Sequence, residues 1–429
     1  MAIQALLVIL AVLLVLLFLG VPISYAIAVS SLTAILSSID LNVAVLTAAQ
    51  RTFVGMSKFS LTAIPFFILA GNIMNQGGIA KRLVDFVMAI LGNLPGALLV
   101  TNIGTNALFG AISGSASAAA AAVGSMIRDG AEEQGYDPAV TAATNAASSC
   151  SGLLIPPSNA LITYSLASGG TSVAALFMAG YIPGIIWALC CCVVGVLLAV
   201  KLGYKGTPGK FDWKNLGVCT LRALPSLSLI IVVIGGVFSA TEGSAIAVVY
   251  ALVLAFCYRS INLKSLWKII VDSAKMSGMV VFLVGVSNIL GWVMAFLQIP
   301  DAVAAALLSL TSNKYVILLI MNVILLVSGT FMDVTPAILI FTPLFLPICQ
   351  SFGMSTVQFG LILVYNLCIG NITPPVGNAL FVGIKVGRTS LAKVMPYMLM
   401  YYVAIIGGLL LVTFIPAVST ALPQAMGLM

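Results

Sequence analysis

Two short stretches place glycine, consecutive prolines and asparagine inside apolar sequence, a combination suited to holding an ion or a small solute. Residues 152–161 have the sequence GLLIPPSNAL, and residues 370–380 have the sequence GNITPPVGNAL. Consecutive prolines remove backbone N–H donors and clash with the preceding helical turn. Each stretch therefore predicts a helix that is unwound near its middle. Its freed carbonyls suit a cation such as Na⁺, and its half-helix N-terminus suits an anion.

These two stretches are parts of an internal duplication. Their glycines and prolines align without a gap, and one inserted residue brings Asn-Ala-Leu into line. Each follows an apolar segment that small and polar residues interrupt, at residues 113–117 in the first copy and 328–333 in the second, so that the offset is 215 to 218 residues. We predict two repeats, each with a re-entrant hairpin and a broken helix. Helices that are merely kinked against their neighbours are the alternative.

Asp333 is an acid in the middle of a predicted apolar hairpin, in a chain with only 11 acidic residues. A carboxylate inside the membrane is costly and is therefore a candidate for function. We interpret Asp333 as a residue of a cation site or as one that orients its loop. Glu242 lies at the end of a predicted span, where a structural role is expected.

The elements that position these residues belong to a membrane protein. Of the 429 residues, 61% are hydrophobic and 7% are charged, whereas soluble proteins carry roughly 25% charged residues. At about 20 residues per crossing, we predict an all-α polytopic protein with about ten full spans. The apolar helices are placed at residues 3–20, 22–39, 59–76, 138–168, 172–200, 223–240, 242–258, 277–297, 357–385 and 394–416, with hairpins at 97–127 and 315–349.

Composition also excludes several classes of function. The chain contains no histidine, which excludes HExxH zinc chemistry and Ser-His catalysis. The net charge of +7 comes from short basic clusters between apolar runs, a pattern typical of membrane topology signals and not of nucleic-acid binding. The eight cysteines are interpreted as small apolar helix residues. An enzyme, including an intramembrane one, is therefore disfavoured, and broken helices around one central site disfavour a passive channel.

Basic residues predict the orientation of the chain. The loops at 201–222, which includes Lys205 and Lys210, and at 259–275 flank two spans and are predicted to be cytoplasmic. Loop 128–137 then lies on the same side, provided that both hairpins are re-entrant. The repeats are inverted and both termini are periplasmic. Arg51 and Lys58 disagree with this rule, and we assign them to an interfacial amphipathic segment.

These motifs resemble the large membrane subunit of tripartite ATP-independent periplasmic (TRAP) transporters along essentially the whole chain. The motifs that carry the resemblance are residues 112–117 (ISGSAS), 154–158 (LIPPS), 240–243 (ATEG), 329–333 (GTFMD) and 372–377 (ITPPVG). The resemblance implies an elevator-type carrier in the bacterial inner membrane, surrounded by lipid. It also implies two partners, a small four-helix membrane subunit of the Q type and a periplasmic substrate-binding protein of the P type. The expected division is 1–96 scaffold spans and interfacial arm, 97–170 hairpin 1 with broken helix 1, 171–314 scaffold spans and arm helices, 315–390 hairpin 2 with broken helix 2, and 391–429 C-terminal span.

The resemblance also implies where ions and substrate bind. The first Na⁺ site is expected at Ser113, Gly114, Ser115, Gly152 and Pro156. The second is expected at Ser328, Gly329, Thr330, Asp333, Gly370, Thr373 and Pro374. Ser117, Asn159 and Asn378 are expected to contact the substrate or to position the unwound segments.

The predicted function is Na⁺-coupled uptake of an organic acid, with sialic acid favoured and a C4-dicarboxylate next. No cofactor is expected besides Na⁺ as the coupling ion. The alternatives are a stand-alone Na⁺/dicarboxylate symporter or ion antiporter of related fold and, from another class, an intramembrane enzyme.

Overall fold

A computed structural model describes residues 2–92, 94, 96–204, 213–234, 239–311 and 313–429. Within these ranges the chain is all-helical, as predicted, with 21 α-helices and one 3-10 turn (Phe59–Thr62). Lys205, Lys210 and positions 235–238 of the predicted helix 223–240 lie outside the described residues. The helices are α1 (Ala2–Phe18), α2 (Ile23–Ile35), α3 (Leu41–Met56), α4 (Ala63–Gln76), α5 (Ile79–Leu91), α6 (Ala97–Ser113), α7 (Ala116–Glu133), α8 (Pro138–Ser149), α9 (Ser151–Leu154), α10 (Asn159–Ala167), α11 (Val173–Leu202), α12 (Trp213–Ile234), α13 (Ala240–Cys257), α14 (Leu263–Phe296), α15 (Ile299–Leu310), α16 (Lys314–Phe331), α17 (Val334–Ser351), α18 (Thr356–Gly370), α19 (Asn378–Val386), α20 (Leu391–Phe414) and α21 (Pro416–Ala425).

Side-chain caps fix where several helices begin. The Ser355 hydroxyl accepts from the N–H of Gln358 at 3.1 Å and starts α18. At α13, Ser239 and Glu242 form a reciprocal capping box, in which the Ser239 N–H donates to the Glu242 carboxylate at 2.9 Å. Such caps each stabilise a helix by about 1 kcal/mol because they satisfy donors that have no partner within the helix. Glu242 therefore has the structural role expected of it.

The two hairpins and the two broken helices are present. Helices α6 and α7 form the first hairpin, and α16 and α17 form the second. The first broken helix is α8–α9 followed by α10, and the second is α18 followed by α19. Helix α10 packs against α17 and α18, while α19 packs against α7 and α8. The second half of each broken helix therefore packs on the opposite repeat, which joins the two copies into one unit.

The structure corrects the alignment of the repeats at the hairpin tips. The second tip lies at Met332–Asp333, because Ser328, Gly329 and Thr330 all lie inside α16. Ser115 and Asp333 are the residues that start α7 and α17, and they are 218 residues apart. That offset also separates the two Pro-Pro pairs. The sequence match placed this break too early because it aligned small residues, whereas the helix ends one turn later.

Glycine pairs bring each hairpin against its own broken helix. A Cβ on Gly152 would lie 2.2 Å from the Cα of Gly110, and a Cβ on Gly370 would lie 2.4 Å from the carbonyl carbon of Gly329. Real side chains do not tolerate such distances. Glycine at these four positions therefore lets backbone contact backbone in both repeats.

Buried amides repeat the same symmetry. The Asn106 amide of α6 donates to the Asn145 side chain of α8 at 3.1 Å. In the second repeat, the Asn366 amide of α18 donates to the Asn322 side chain of α16 at 2.8 Å. All four residues are buried. Hydrogen bonds between buried amides orient two helices more specifically than apolar packing does.

Several helices surround this unit and were only partly predicted. Helices α3, α5, α15 and α21 were not placed from the sequence, and α14 begins at Leu263, well before the predicted span 277–297. Helix α3 contains Arg51, and the interfacial placement of this segment stays a prediction. It exposes apolar residues such as Leu46 and Phe53 and packs along α14.

The structure does not count the membrane spans or divide the chain into domains. Among the described residues, five helices are long and apolar enough to cross a membrane alone, namely α11, α14, α16, α17 and α20. The other apolar helical stretches have only 10–17 residues, so the number of about ten full spans stays a prediction. Helix α11 contacts α6, α9, α18 and α20. The division into scaffold and moving parts also stays a prediction.

Labelling can test the inverted topology. We expect residues 128–137 and 350–356 to face opposite sides of the membrane. Glu133 and Ser351 are both exposed, so a cysteine at either position, in a background without reactive native thiols, is open to an impermeant thiol reagent. From the periplasm, only the Ser351→Cys chain should react. Reaction of both chains from one face would contradict the inversion.

Candidate functional site

A cavity of about 180 Å³ lies where the two repeats meet. Both hairpin tips and both helix breaks line it, and α4 and α14 contribute apolar side chains to its wall. Its wall includes Gly114, Ser115, Ser117, Asn159, Asp333 and Asn378 from the predicted set, together with Ile64, Ile68, Leu153, Thr163, Met276, Val280, Thr335 and Asn371. Polar groups thus line the repeat side of the cavity and apolar groups line the surrounding side, as in small-molecule sites.

The first hairpin tip is tied to the first helix break. Gly114 has φ +61°, a left-handed conformation that ends α6 and that glycine adopts without strain. Its carbonyl accepts from the Asn159 amide at 3.4 Å, and the Ser115 and Ser117 hydroxyls are 3.2 Å apart. Asn159 therefore links the second half of the broken helix to the hairpin tip. Its own side-chain oxygen is buried and lacks a partner among the described residues.

The second hairpin tip is tied to the second break in a corresponding way. The N–H of Val376 donates to the Thr330 carbonyl at 3.2 Å. The Thr373 hydroxyl donates to the Ile369 carbonyl at 2.7 Å, and the Tyr402 hydroxyl donates to the Ile372 carbonyl at 2.6 Å. The Val376 and Tyr402 bonds give partners to a carbonyl at the end of α16 and to one in the unwound segment. Both Pro-Pro bonds, Pro156–Pro157 and Pro374–Pro375, are cis.

Asp333 stands at the rim of the cavity with its carboxylate uncommitted. It occupies the N-cap position of α17, yet its side chain makes no cap hydrogen bond. The residue is exposed, and in the described part of the chain no Lys or Arg lies within 4.0 Å of it. The equivalent Ser115 does cap its helix through the N–H of Ala118. Asp333 is therefore free to bind a cation or a substrate group.

Asn371 is a site residue that sequence reasoning missed. It is buried, it lines the cavity, and its amide lies 3.9 Å from the Cys150 sulfur. Cys150 in turn contacts Cys368, its own repeat equivalent, so this point lies between the two copies. The Asn371 oxygen has no partner among the described residues. The alignment of the two repeats could have identified Asn371, because this residue is polar whereas its equivalent in the first repeat, Leu153, is apolar.

Other predicted site residues lie behind the cavity wall. Gly152, Gly329 and Gly370 form the close helix contacts described above. Ser113 donates weakly to the Ser115 carbonyl at 3.4 Å. The structure thus gathers the tip and asparagine residues into the cavity. The remaining predicted residues, including Pro156, Ser328, Thr373 and Pro374, lie in the helices and turns that support it.

Comparisons with known proteins agree with this architecture. Residues 10–418 match the model of the family described as tripartite ATP-independent periplasmic transporter, DctM component. The chain is 49% identical over 408 residues to the protein YgiK of Salmonella typhimurium, with 94% of each chain covered. It is 35% identical to a C4-dicarboxylate TRAP transporter large permease protein, DctM, of Pseudomonas aeruginosa, with 93% of each chain covered.

It is also 32% identical to the sialic acid TRAP transporter large permease protein SiaM of Vibrio cholerae, covering 95% of this chain and 96% of the relative. The crystal structure of the YdaH transporter of Alcanivorax borkumensis, described as having an unusual topology, shares the fold. Its TM-score is 0.59 at 15% identity, covering 82% of this chain and 86% of that one. The chain belongs to the DctM family, the large permease components of TRAP transporters.

Proposed function

We propose that this chain carries an organic acid across the bacterial inner membrane by Na⁺-coupled secondary transport, with the hairpins and broken helices moving as one unit against the surrounding helices. The observation that carries the proposal is the cavity formed jointly by Gly114–Ser117, Asp333, Asn159 and Asn378. Both repeats contribute to it, and it faces α4 and α14. A site shared by two inverted repeats is what alternating access requires.

The cation sites are proposed beside this cavity. The first would use backbone carbonyls and hydroxyls of Ser113, Gly114 and Ser115 with the break at Gly152 and Pro156. The second would use the α16–α17 turn with Asp333 and the break from Gly370 to Pro374. Oxygen ligands of this kind suit a hard monovalent cation. The free carboxylate of Asp333 and the unpartnered oxygen of Asn371 support the second site.

The energetics favour coupling to Na⁺. Moving one net positive charge inward across 100 mV gains about 2.3 kcal/mol. Two Na⁺ ions with a monoanion carry one net positive charge, so that the potential and the Na⁺ gradient act in the same direction. This argument supports uptake into the cytoplasm. Both chain termini are proposed to lie in the periplasm because of the basic loops.

The substrate is proposed to bear a carboxylate. Relatives of similar identity include a permease named for C4-dicarboxylates and one named for sialic acid. Sialic acid is our favoured hypothesis for the substrate. Uptake of ¹⁴C-labelled succinate and N-acetylneuraminate, each with a candidate binding protein, would separate the two. The alternative is a stand-alone symporter or antiporter that needs no partner.

We expect the chain alone to be inactive in liposomes. Uptake should appear only with a small four-helix membrane subunit and an acid-loaded periplasmic binding protein, since the family to which the chain belongs is described as tripartite. The measurement is Na⁺-driven accumulation of labelled acid with each component left out in turn. Full uptake by the isolated chain would support the stand-alone alternative instead.

A further inference from the structure

A second, larger cavity also lies along α14 and is distinct from the cavity at the hairpin tips. Its volume is about 410 Å³, within the range of about 300–1,000 Å³ of small-molecule sites. The surrounding helices supply Arg51, Ser287, Asn288 and Trp292, and the repeat unit supplies apolar side chains on the other wall. These opposite residues are Leu166, Ala167, Leu339 and Pro343.

One face of α14 connects the two cavities. Met276 and Val280 border the hairpin-tip cavity, and residues 284, 287, 288, 291 and 295 border the larger one. Positions three and four apart share one side of a helix. At 1.5 Å of rise per residue, the centres of the two segments are about 16 Å apart along α14. The repeat unit therefore faces two cavities at different depths along a single helix face.

Arg51 is the charged residue in the wall of the larger cavity, and its guanidinium is not neutralised. Among the described residues it forms no ion pair. Its guanidinium carbon lies over the Trp292 ring, 5.9 Å from the ring centroid. Ser287 and Asn288 add polar side chains beside it. An arginine fork presents several N–H donors in one plane and matches a carboxylate.

Close packing of α3 on α14 holds Arg51 at this position. A Cβ on Gly55 would lie 2.5 Å from the Asn288 amide nitrogen, and a Cβ on Gly285 would lie 2.5 Å from the Met56 side chain. The two helices therefore contact each other directly at the level of the cavity, one turn from Arg51. This contact places the backbone of α3 beside the cavity, so that the exposed Arg51 side chain lines its wall.

We propose that Arg51, with Ser287, Asn288 and Trp292, forms a second binding site that holds the carboxylate of the organic acid at the opposite end of its path from the hairpin-tip cavity. The proposal rests on the transport function proposed above. When the two hairpins and the two broken helices move together toward the periplasm, they would bring the hairpin-tip residues beside Arg51. The apolar walls leave the carboxylate with Arg51 as its charged partner.

Uptake kinetics test the charge. In the complete transporter, Arg51→Gln should raise KM for the acid at least tenfold and change kcat by less than twofold. Arg51→Lys keeps the charge but loses the planar guanidinium. Its KM should therefore lie between the KM of the original chain and that of Arg51→Gln. Lys58→Gln removes the same charge from a neighbouring residue outside the cavity wall and should leave KM unchanged. A fall in kcat at constant KM would mean that Arg51 is structural and would overturn the proposal.

Tryptophan emission tests binding without transport. The chain with its small subunit, in nanodiscs of zwitterionic lipid and without binding protein, is titrated with succinate, N-acetylneuraminate or the uncharged diamide of succinate. We expect at least one acid, and not the diamide, to change the emission. The change should vanish in Trp292→Phe and shift to at least tenfold higher acid concentration in Arg51→Gln.

The outcomes separate this proposal from the transport function. An emission change in Trp292→Phe or Arg51→Gln equal to that of the original chain would overturn the second site, as would no response to either acid. A raised KM with an unchanged titration would assign Arg51 to docking of the binding protein and would also overturn it. If no acid is taken up but Trp292 responds through Arg51, the binding site stands, whereas the transport function fails together with the site's place on a transport path.

Discussion

The Asp333→Asn chain is expected to need at least tenfold more Na⁺ for half-maximal uptake, or to lose uptake, while it folds and assembles normally. Asparagine keeps the size of the side chain and removes its charge. The carboxylate lines the cavity, makes no cap hydrogen bond and has no described basic partner, so it is free to bind a cation. A tenfold change corresponds to a loss of about 1.4 kcal/mol, modest for a charged ligand. The measurement is initial uptake rate against Na⁺ concentration.

Asp129→Asn is the matched control. Asp129 forms an ion pair with Arg128 at 2.7 Å, and its side chain is 70% exposed. Removing an exposed pair of this kind changes stability by about 0–1 kcal/mol, and the Na⁺ dependence should not change. If Asp333→Asn shows the Na⁺ dependence of the original chain, the second cation site does not include this carboxylate. The free side chain would then serve the substrate or the loop.

Gly370→Ala is expected to be among the most damaging single-methyl changes in the chain. The added Cβ would lie 2.4 Å from the Gly329 carbonyl carbon and 2.6 Å from its Cα and its oxygen. The obstacle is backbone, which cannot rotate aside as a side chain can. Overpacking typically costs 1–3 kcal/mol, sometimes more, and any relief would separate the second hairpin from its broken helix. We expect a lower Tm and loss of uptake, measured by thermal unfolding in detergent and by transport in liposomes.

Gly407→Ala supplies the control for this change. Gly407 lies inside α20, and nothing stands within 4 Å of its Cβ position. Alanine there should be neutral or should stabilise the helix by roughly 0.5–1 kcal/mol. Gly152→Ala, the repeat equivalent, should behave like Gly370→Ala because its Cβ would meet the Cα of Gly110 at 2.2 Å. Equal Tm and uptake for Gly370→Ala and Gly407→Ala would show that the contact at Gly329 is loose.

The sequence by itself determined the membrane class, the duplication, the two hairpins and the two breaks. These features follow from local rules: an apolar segment cannot stay in water, and Pro-Pro cannot continue a helix. The tip residues 114, 115 and 117, the two asparagines and Asp333 could be named because they stand beside those breaks. The motifs that carry the family resemblance include residues 114, 115, 117 and 333, and the two asparagines directly follow the Pro-Pro motifs. Each break is signalled within fewer than about a dozen consecutive residues, whereas the membrane class follows from the composition of the whole chain and the duplication from a match about 218 residues apart.

Only the tertiary structure decided which of these residues share a cavity and what surrounds it. Ser328, Gly329 and Thr330 resemble a break in composition, but tertiary packing keeps them helical through Phe331. Asn371 became a site residue because α18 faces the other repeat at Cys150. Arg51 lies in a cavity wall with Trp292 because α3 packs on α14. Each outcome depends on residues far apart in the chain, and local composition carries no record of which distant helix will cover a given face.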